Sequence, residues 1–185
     1  MVVYRLDQDN RLASVGQGWS GVAQATEASE LTPDAVTGKS VFSFIADAAT
    51  QELYSLIFER VRQTEETVVL PFRCDSPKAR RFMELKIAPT GNAQLDIEAR
   101  TLRLESRPNV ALLDAACERS DDLLSVCGWC KRVNVADDWV EVELAVARLE
   151  LFEEPTLPQL SHGVCPHCAS ELERQIESQT SRSSG

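Results

Sequence analysis

Cys127-Gly-Trp-Cys130 and Cys165-Pro-His-Cys168 set four sulfurs in two pairs, each pair closed by one tight turn. Two such turns brought together supply the four thiolates that a tetrahedral zinc ion takes in a structural site. Any fold of this chain that uses them must carry residues 127–130 to residues 165–168. The stretch between the pairs, Lys131 to Val164, is 34 residues, longer than in a minimal zinc ribbon, so it must carry structure of its own. Cys127, Cys130, Cys165 and Cys168 are the expected ligands, with Gly128 and Pro166 helping the backbone turn towards the sulfurs. His162, three residues before Cys165, is the alternative fourth ligand, His167 a weaker one; the other role for His162-Gly163 is a turn that orients the second pair. A complete four-sulfur shell leaves no open position for water or substrate, which makes the ion structural, not catalytic.

The competing chemistry is thiol–disulfide exchange, since Cys-x-x-Cys at a helix N-terminus after a strand lowers the pKa of its first thiol. No β-rich segment is expected before Cys165, and a second Cys-x-x-Cys is explained by zinc and not by redox catalysis. The sequence therefore favours the metal, with a zinc-based redox switch as a third possibility. The other two of the six cysteines, Cys74 and Cys117, read as buried small apolar residues.

Of 185 residues, 43% are hydrophobic, enough for a real core, and the net charge is −10, a field that repels polyphosphate and anionic lipid. Lys78, Arg80 and Arg81 form the one strong basic cluster and read as a solvated turn. Between Cys127 and Cys168, Lys131, Arg132 and Arg148 face Asp137, Asp138, Glu141, Glu143, Glu150, Glu153 and Glu154, so nucleic acid is not an expected partner. Charges from Arg5 onward and the lack of any span near ~20 apolar residues give no signal peptide or membrane helix, and a cytoplasmic location is expected. There is no Gly-x-Ser-x-Gly elbow and no phosphate-binding glycine loop, and the chain is not expected to be an enzyme.

Val2–Leu6 and Arg11–Val15 read as a hairpin about the turn Asp7-Gln-Asp-Asn10. A small-residue helical stretch runs from Trp19 through Ala28, and Thr32-Pro33-Asp34 starts a short helix that Gly38 closes. From Ala46 to Gln63 a longer helix places Leu53, Leu56, Ile57, Arg60 and Val61 on one face. Three strands follow, Thr67–Cys74, Arg80–Ile87 and Gln94–Leu104, separated by turn sequences. Two strands, short helices, a longer helix and three strands fit one five-stranded antiparallel sheet covered on one face by helices, an α+β fold.

That order, with Leu12-Ala-Ser-Val-Gly16 before Trp19 and Val36-Thr-Gly-Lys-Ser-Val-Phe42 leading into the next helix, resembles a PAS-type sensor domain over residues 1–106. Pro71-Phe-Arg-Cys-Asp-Ser-Pro77 and the Cys-rich tail resemble a small bacterial group of PAS-like proteins of unassigned function. Cys127-Gly-Trp-Cys-Lys-Arg132, Trp139 and Ser161-His-Gly-Val-Cys-Pro-His-Cys168 are similar to a C-terminal module of some bacterial sensory and response-regulator proteins. The resemblance implies a regulatory role in signal transduction with a protein partner as output, and a homodimer through the PAS-like domain or the connecting helix as a further contact. An adaptor with no ligand is the other protein-interaction reading. Residues 1–106 hold no histidine for haem, and Cys74 stands at a strand end, not in a flavin-adduct helix.

The expected divisions are a PAS-like domain at 1–106, a linker and connecting helix at 107–126, a small helical zinc-binding module at 127–178 and a disordered tail at 179–185. Within the module, Asp137 and Asp138 are expected to cap a helix through Leu149 that Pro155 and Pro158 end, and Ala169 to Ser178 forms a terminal helix.

Overall fold

A computed structural model describes residues 1–16, 18–21, 30–45, 47–152 and 154–180, the side chains of 179 and 180 excepted. Most of the expected stretch from Trp19 through Ala28, and the expected tail beyond residue 180, lie outside these residues. The fold is α+β. Strands β1 (Val2–Leu6), β2 (Leu12–Val15), β3 (Val68–Arg73), β4 (Ala79–Thr90) and β5 (Gln94–Ser106) form an antiparallel sheet in the order β2-β1-β5-β4-β3. Between β2 and β3 lie α1 (Pro33–Val36), a 3-10 turn (Val41–Phe44) and α2 (Ala48–Thr64). This is the PAS-like arrangement that the resemblance implies.

Period-two alternation divides the sheet into two faces. Tyr4 pairs with Ile97, Ile97 with Ile87 and Ile87 with Val68, all pointing inward, while outward-facing Arg5 pairs with Asp96 and Lys86 with Glu98. Helix α2 lays Ile57, Phe58 and Val61 on the inner face, and each is 0–1% exposed. Leu56, expected on that face, is 58% exposed, because 54, 57, 58 and 61 define the buried stripe and 56 lies off it. Thr32 caps α1 through its side chain, Asp47 caps α2, and Gly38 follows α1 at φ 82°.

The C-terminal part is built differently from the expectation. The stretch expected to hold a connecting helix contains a 3-10 turn (Ala111–Leu113) and then strand β6 (Arg119–Cys127). Leu124 and Val126 are buried on either side of exposed Ser125, a strand alternation that four nearby leucines disguise as helical. β7 (Val133–Val135), β8 (Asp138–Val140) and β9 (Leu157–Gly163) complete a second sheet in the order β8-β7-β6-β9. The expected helix from Asp138 is a strand followed by α3 (Val142–Arg148), which Glu141 precedes; it ends at Leu149 and left-handed Glu150, well before Pro155, and Pro158 lies inside β9. α4 (Pro166–Thr180) is the last element among the described residues. No helix among the described residues is long and apolar enough to cross a membrane.

The two sheets are joined by charge. The Asp75 carboxylate, fully buried, accepts from Arg73 at 2.5 Å and from Arg107, 3% exposed, at 3.2 Å. Arg73 also donates to both oxygens of Glu141 at 2.8 and 2.9 Å, and Glu143 accepts from Arg80 at 2.7 Å and Arg107 at 3.3 Å. Burial works against the Arg73 charge, but hydrogen bonds to Asp75 and Glu141 hold its pKa above the ordinary arginine value. Arg80, expected in a solvated turn, is therefore a link between the sheets. Cys74 and Cys117, expected buried, are half-buried.

Replacing Asp75 leaves two buried guanidinium groups without their shared carboxylate. Asp75→Ala is expected to lower the unfolding free energy by ~3–5 kcal/mol in chemical denaturation. Breaking the exposed Arg5–Asp96 pair should leave the midpoint nearly unchanged.

Candidate metal centre

β6 and β9 run parallel, with Val126 opposite His162 and Cys127 opposite Gly163, so both strands end side by side, β6 on the first cysteine of its pair and β9 two residues before the second pair. Parallel neighbours need a crossover of a dozen or more residues, and β7, β8 and α3 fill it. The 34-residue interval that exceeds a zinc ribbon holds most of that crossover together with β9 itself. Gly128 N–H donates to Gly163 O at 2.7 Å and locks the two turns together.

In the first turn, Cys130 N–H points at Cys127 Sγ (3.5 Å), Lys131 N–H donates to Cys127 O (3.0 Å), and Cys127 N–H donates to Arg132 O (2.7 Å). The left-handed residue is Lys131, at φ 63°, not Gly128. Gly128 serves close approach instead: a Cβ there would lie 3.2 Å from Thr50 Oγ1 on α2. The second turn is the start of α4, with Pro166 in the first helical position, where it forfeits no hydrogen bond. Cys168 N–H points at Cys165 Sγ and Cys165 N–H at Cys127 Sγ, both at 3.4 Å.

All four sulfurs lie within 4.8 Å of one another, and Cys130 Sγ is 3.8 Å from Cys165 Sγ. A tetrahedron with metal–sulfur bonds of ~2.3 Å has sulfur–sulfur edges of about 3.8 Å, so the cluster has the size of a four-thiolate metal site. The cluster contains neither His162 nor His167. His162 lies in β9 opposite Val126, and burial together with the nearby Lys131 charge keeps its pKa below the ordinary histidine value. Among the thiols, hydrogen bonds from Cys130 and Cys168 hold Cys127 well below the thiol range, while the same contact with Cys127 pushes Cys130 up to about 12. A metal that takes all four as thiolates must displace the protons of those that are still thiols.

One expectation about the sequence around Cys165 is overturned. A strand, β9, does precede it, and Cys165-Pro-His-Cys168 does open a helix, which is the local setting of a thiol oxidoreductase. What separates the two chemistries is the surroundings of the sulfur. Cys127 and Cys165 are 0% and 1% exposed, and Cys165 Sγ faces a cysteine from the other pair, so an external disulfide has no approach to the first thiol of α4.

The centre is part of the wall of the PAS-like core. Cys127, Trp129, Cys165, Cys168 and Leu172 belong to the same apolar cluster as Phe58, Leu70 and Ile97. Trp129 packs against Tyr54 of α2 and Phe72 of β3, ring centres 5.7 and 6.1 Å away. Its indole N–H donates to Pro71 O at 2.6 Å, and its carbonyl accepts from Arg73 N–H at 2.9 Å. These bonds cover the outer edge of β3, which would otherwise expose unpaired backbone groups. Nothing in the spacing of the cysteines announced this docking; the tryptophan inside the first pair was its one available signal.

No family model and no curated protein matches this chain. Among solved structures, it is similar to the photoactive yellow protein domain from the sensor histidine kinase Ppr from Rhodospirillum centenum. The identity is 15%, over 54% of this chain and 82% of that one, with a TM-score of 0.39.

Two outcomes follow from this geometry. Cys165→Ser should abolish metal retention and raise the solvent exposure of Trp129, read by acrylamide quenching of its fluorescence in a Trp19→Phe, Trp139→Phe background. Burial pushes the Tyr54 phenol from 10.0 up to about 12, so the folded state favours its neutral form. The stabilisation is fully present below pH 10 and is lost as pH rises towards 12. Tyr54→Phe should therefore shift alkaline unfolding to higher pH, and an unchanged alkaline midpoint would count against that burial.

Proposed function

We propose that this protein is a non-enzymatic sensory or regulatory protein. In this reading a structural zinc ion, held by Cys127, Cys130, Cys165 and Cys168, fixes its C-terminal part against a PAS-like sheet, and its output is contact with a protein partner. The observation that carries the reading is the closed cluster of four sulfurs set in the wall of the PAS-like core. Four thiolates fill a tetrahedral shell and leave no position for a reacting water, which suits a fastener and not a catalyst. Zinc fits the donor set because soft thiolates select it and tetrahedral four-sulfur geometry suits its filled d shell. With the metal bound, β6, β9 and α4 become one rigid body with β3, so a change in either part is transmitted to the surface of the other.

Metal analysis of protein prepared without added zinc, together with thiol titration after denaturation, tests this. One zinc per chain and six titratable thiols are expected. No metal, with two fewer thiols for each disulfide, would transfer the cysteine pairs to redox chemistry. A pull-down with the intact protein, repeated after zinc removal, should lose its captured partner in the second arm.

A further inference from the structure

Beside the metal centre lies a pocket of 540 Å³ whose apolar wall comes from both parts of the molecule: Phe72 of β3, Met83 of β4, Leu102 of β5, Trp129 of the first cysteine turn and Leu172 of α4. By contrast, the space between α2 and the sheet is filled, with Ile57, Phe58, Val61, Leu70, Ile87, Leu95 and Ile97 all 0–1% exposed. Among the described residues, the junction of sheet and metal turn therefore offers room for a ligand that the space under α2 does not. Leu102 is 55% exposed, and a side chain of that size left in water beside an open apolar wall is a surface that a ligand would cover.

The charges around the pocket are unevenly satisfied. Arg73 is claimed by Asp75 and Glu141, and Arg103 by Glu105 and the face of Phe82, 4.0 Å from its guanidinium carbon. Glu171 is held by Arg174 and Gln175. Arg132 is the exception. Its Nε pairs with Glu141 at 3.6 Å, an ion pair too long for a hydrogen bond, on a carboxylate that also accepts from Arg73 through both oxygens. Arg132 thus lines an apolar pocket in a loose ion pair made through Nε, with no side-chain hydrogen bond from its guanidinium among the described residues, a group that can take a carboxylate in two parallel hydrogen bonds.

We propose that this pocket binds a small amphipathic carboxylate, its apolar body against Trp129, Phe72 and Leu172 and its head on Arg132. Such a ligand would sit against the two turns that carry Cys130 and Cys168, so occupancy would be felt by the joint between the two sheets. The proposal rests on the structural-zinc reading, because the metal-bound turns form one wall of the pocket.

Isothermal titration of the full-length protein, its zinc content measured first, tests it with decanoate, decanol and decylamine. Decanoate should bind one per chain, with decylamine at least tenfold weaker. Arg132→Gln should weaken decanoate about tenfold or more while leaving decanol unchanged and zinc retained, the loss of one charge-assisted contact. Leu102→Glu, at an exposed position, should weaken decanoate as well without disturbing the core. Zinc-loaded protein that binds no decanoate, binds decylamine equally well, or binds decanoate with the same affinity in both variants would overturn the pocket and leave the zinc reading standing. Purified protein without metal would overturn the zinc reading; the same titration of that folded chain then decides the pocket, absence of decanoate binding overturning it.

Discussion

The parallel pairing of β6 with β9 is the constraint on which the rest of this structure depends. It is a short contact, yet it decides that two cysteine turns separated by a long crossover end at one edge, in register, with Gly128 bonded to Gly163 across the gap. From that register follows the sulfur cluster, and from the cluster follows the position of Trp129, which seals β3 and reaches α2. A metal at the centre closes a loop between elements that local hydrogen bonding alone would hold weakly, and its binding free energy becomes folding free energy.

The second fastener is electrostatic and lies close to the first. Asp75, Arg73, Arg107, Glu141 and Glu143 form a network across the same joint, and Arg73 belongs to both, through its side chain to Glu141 and its backbone to Trp129. Such buried charge adds little net stability over an apolar packing of the same shape, but each missing member is costly because it strands the others. It therefore selects one docking geometry: a shift of α3 along β3 would separate Arg73 from Glu141 and leave the carboxylates without partners. A metal in the sulfur cluster would add strength to the joint, and the charges supply its register.

How much of this was legible in the sequence follows the range of the interactions. The PAS-like sheet declared itself through local signals: alternation in β3 to β5, the Pro33 start and Gly38 stop around α1, and the helical spacing of Leu53, Ile57 and Val61 in α2. The clustering of four sulfurs was legible because two Cys-x-x-Cys pairs in one chain supply the full donor set of a tetrahedral thiolate shell. The strand β6 was hidden by Leu112, Leu113, Leu123 and Leu124, whose spacing suits a helix; only pairing with β9, far along the chain, makes it a strand. For the same reason β9 was missed, and with it the strand before Cys165 that a redox motif would share. The union of the sulfur site with the PAS-like core was not encoded in any short window, since Trp129 needs Tyr54, Phe72 and Pro71 O, each remote in sequence.

The central claim is that the four cysteines hold the two sheets together as a single folding unit. Amide hydrogen exchange of the intact protein before and after zinc chelation measures it directly. The account predicts that β3 and the first turns of α2 lose protection together with β6, β9 and α4 when the metal is removed. Retained protection throughout β3, β4 and α2, with loss confined to the residues after Ser106, would contradict it and make the cysteine region an independent appendage.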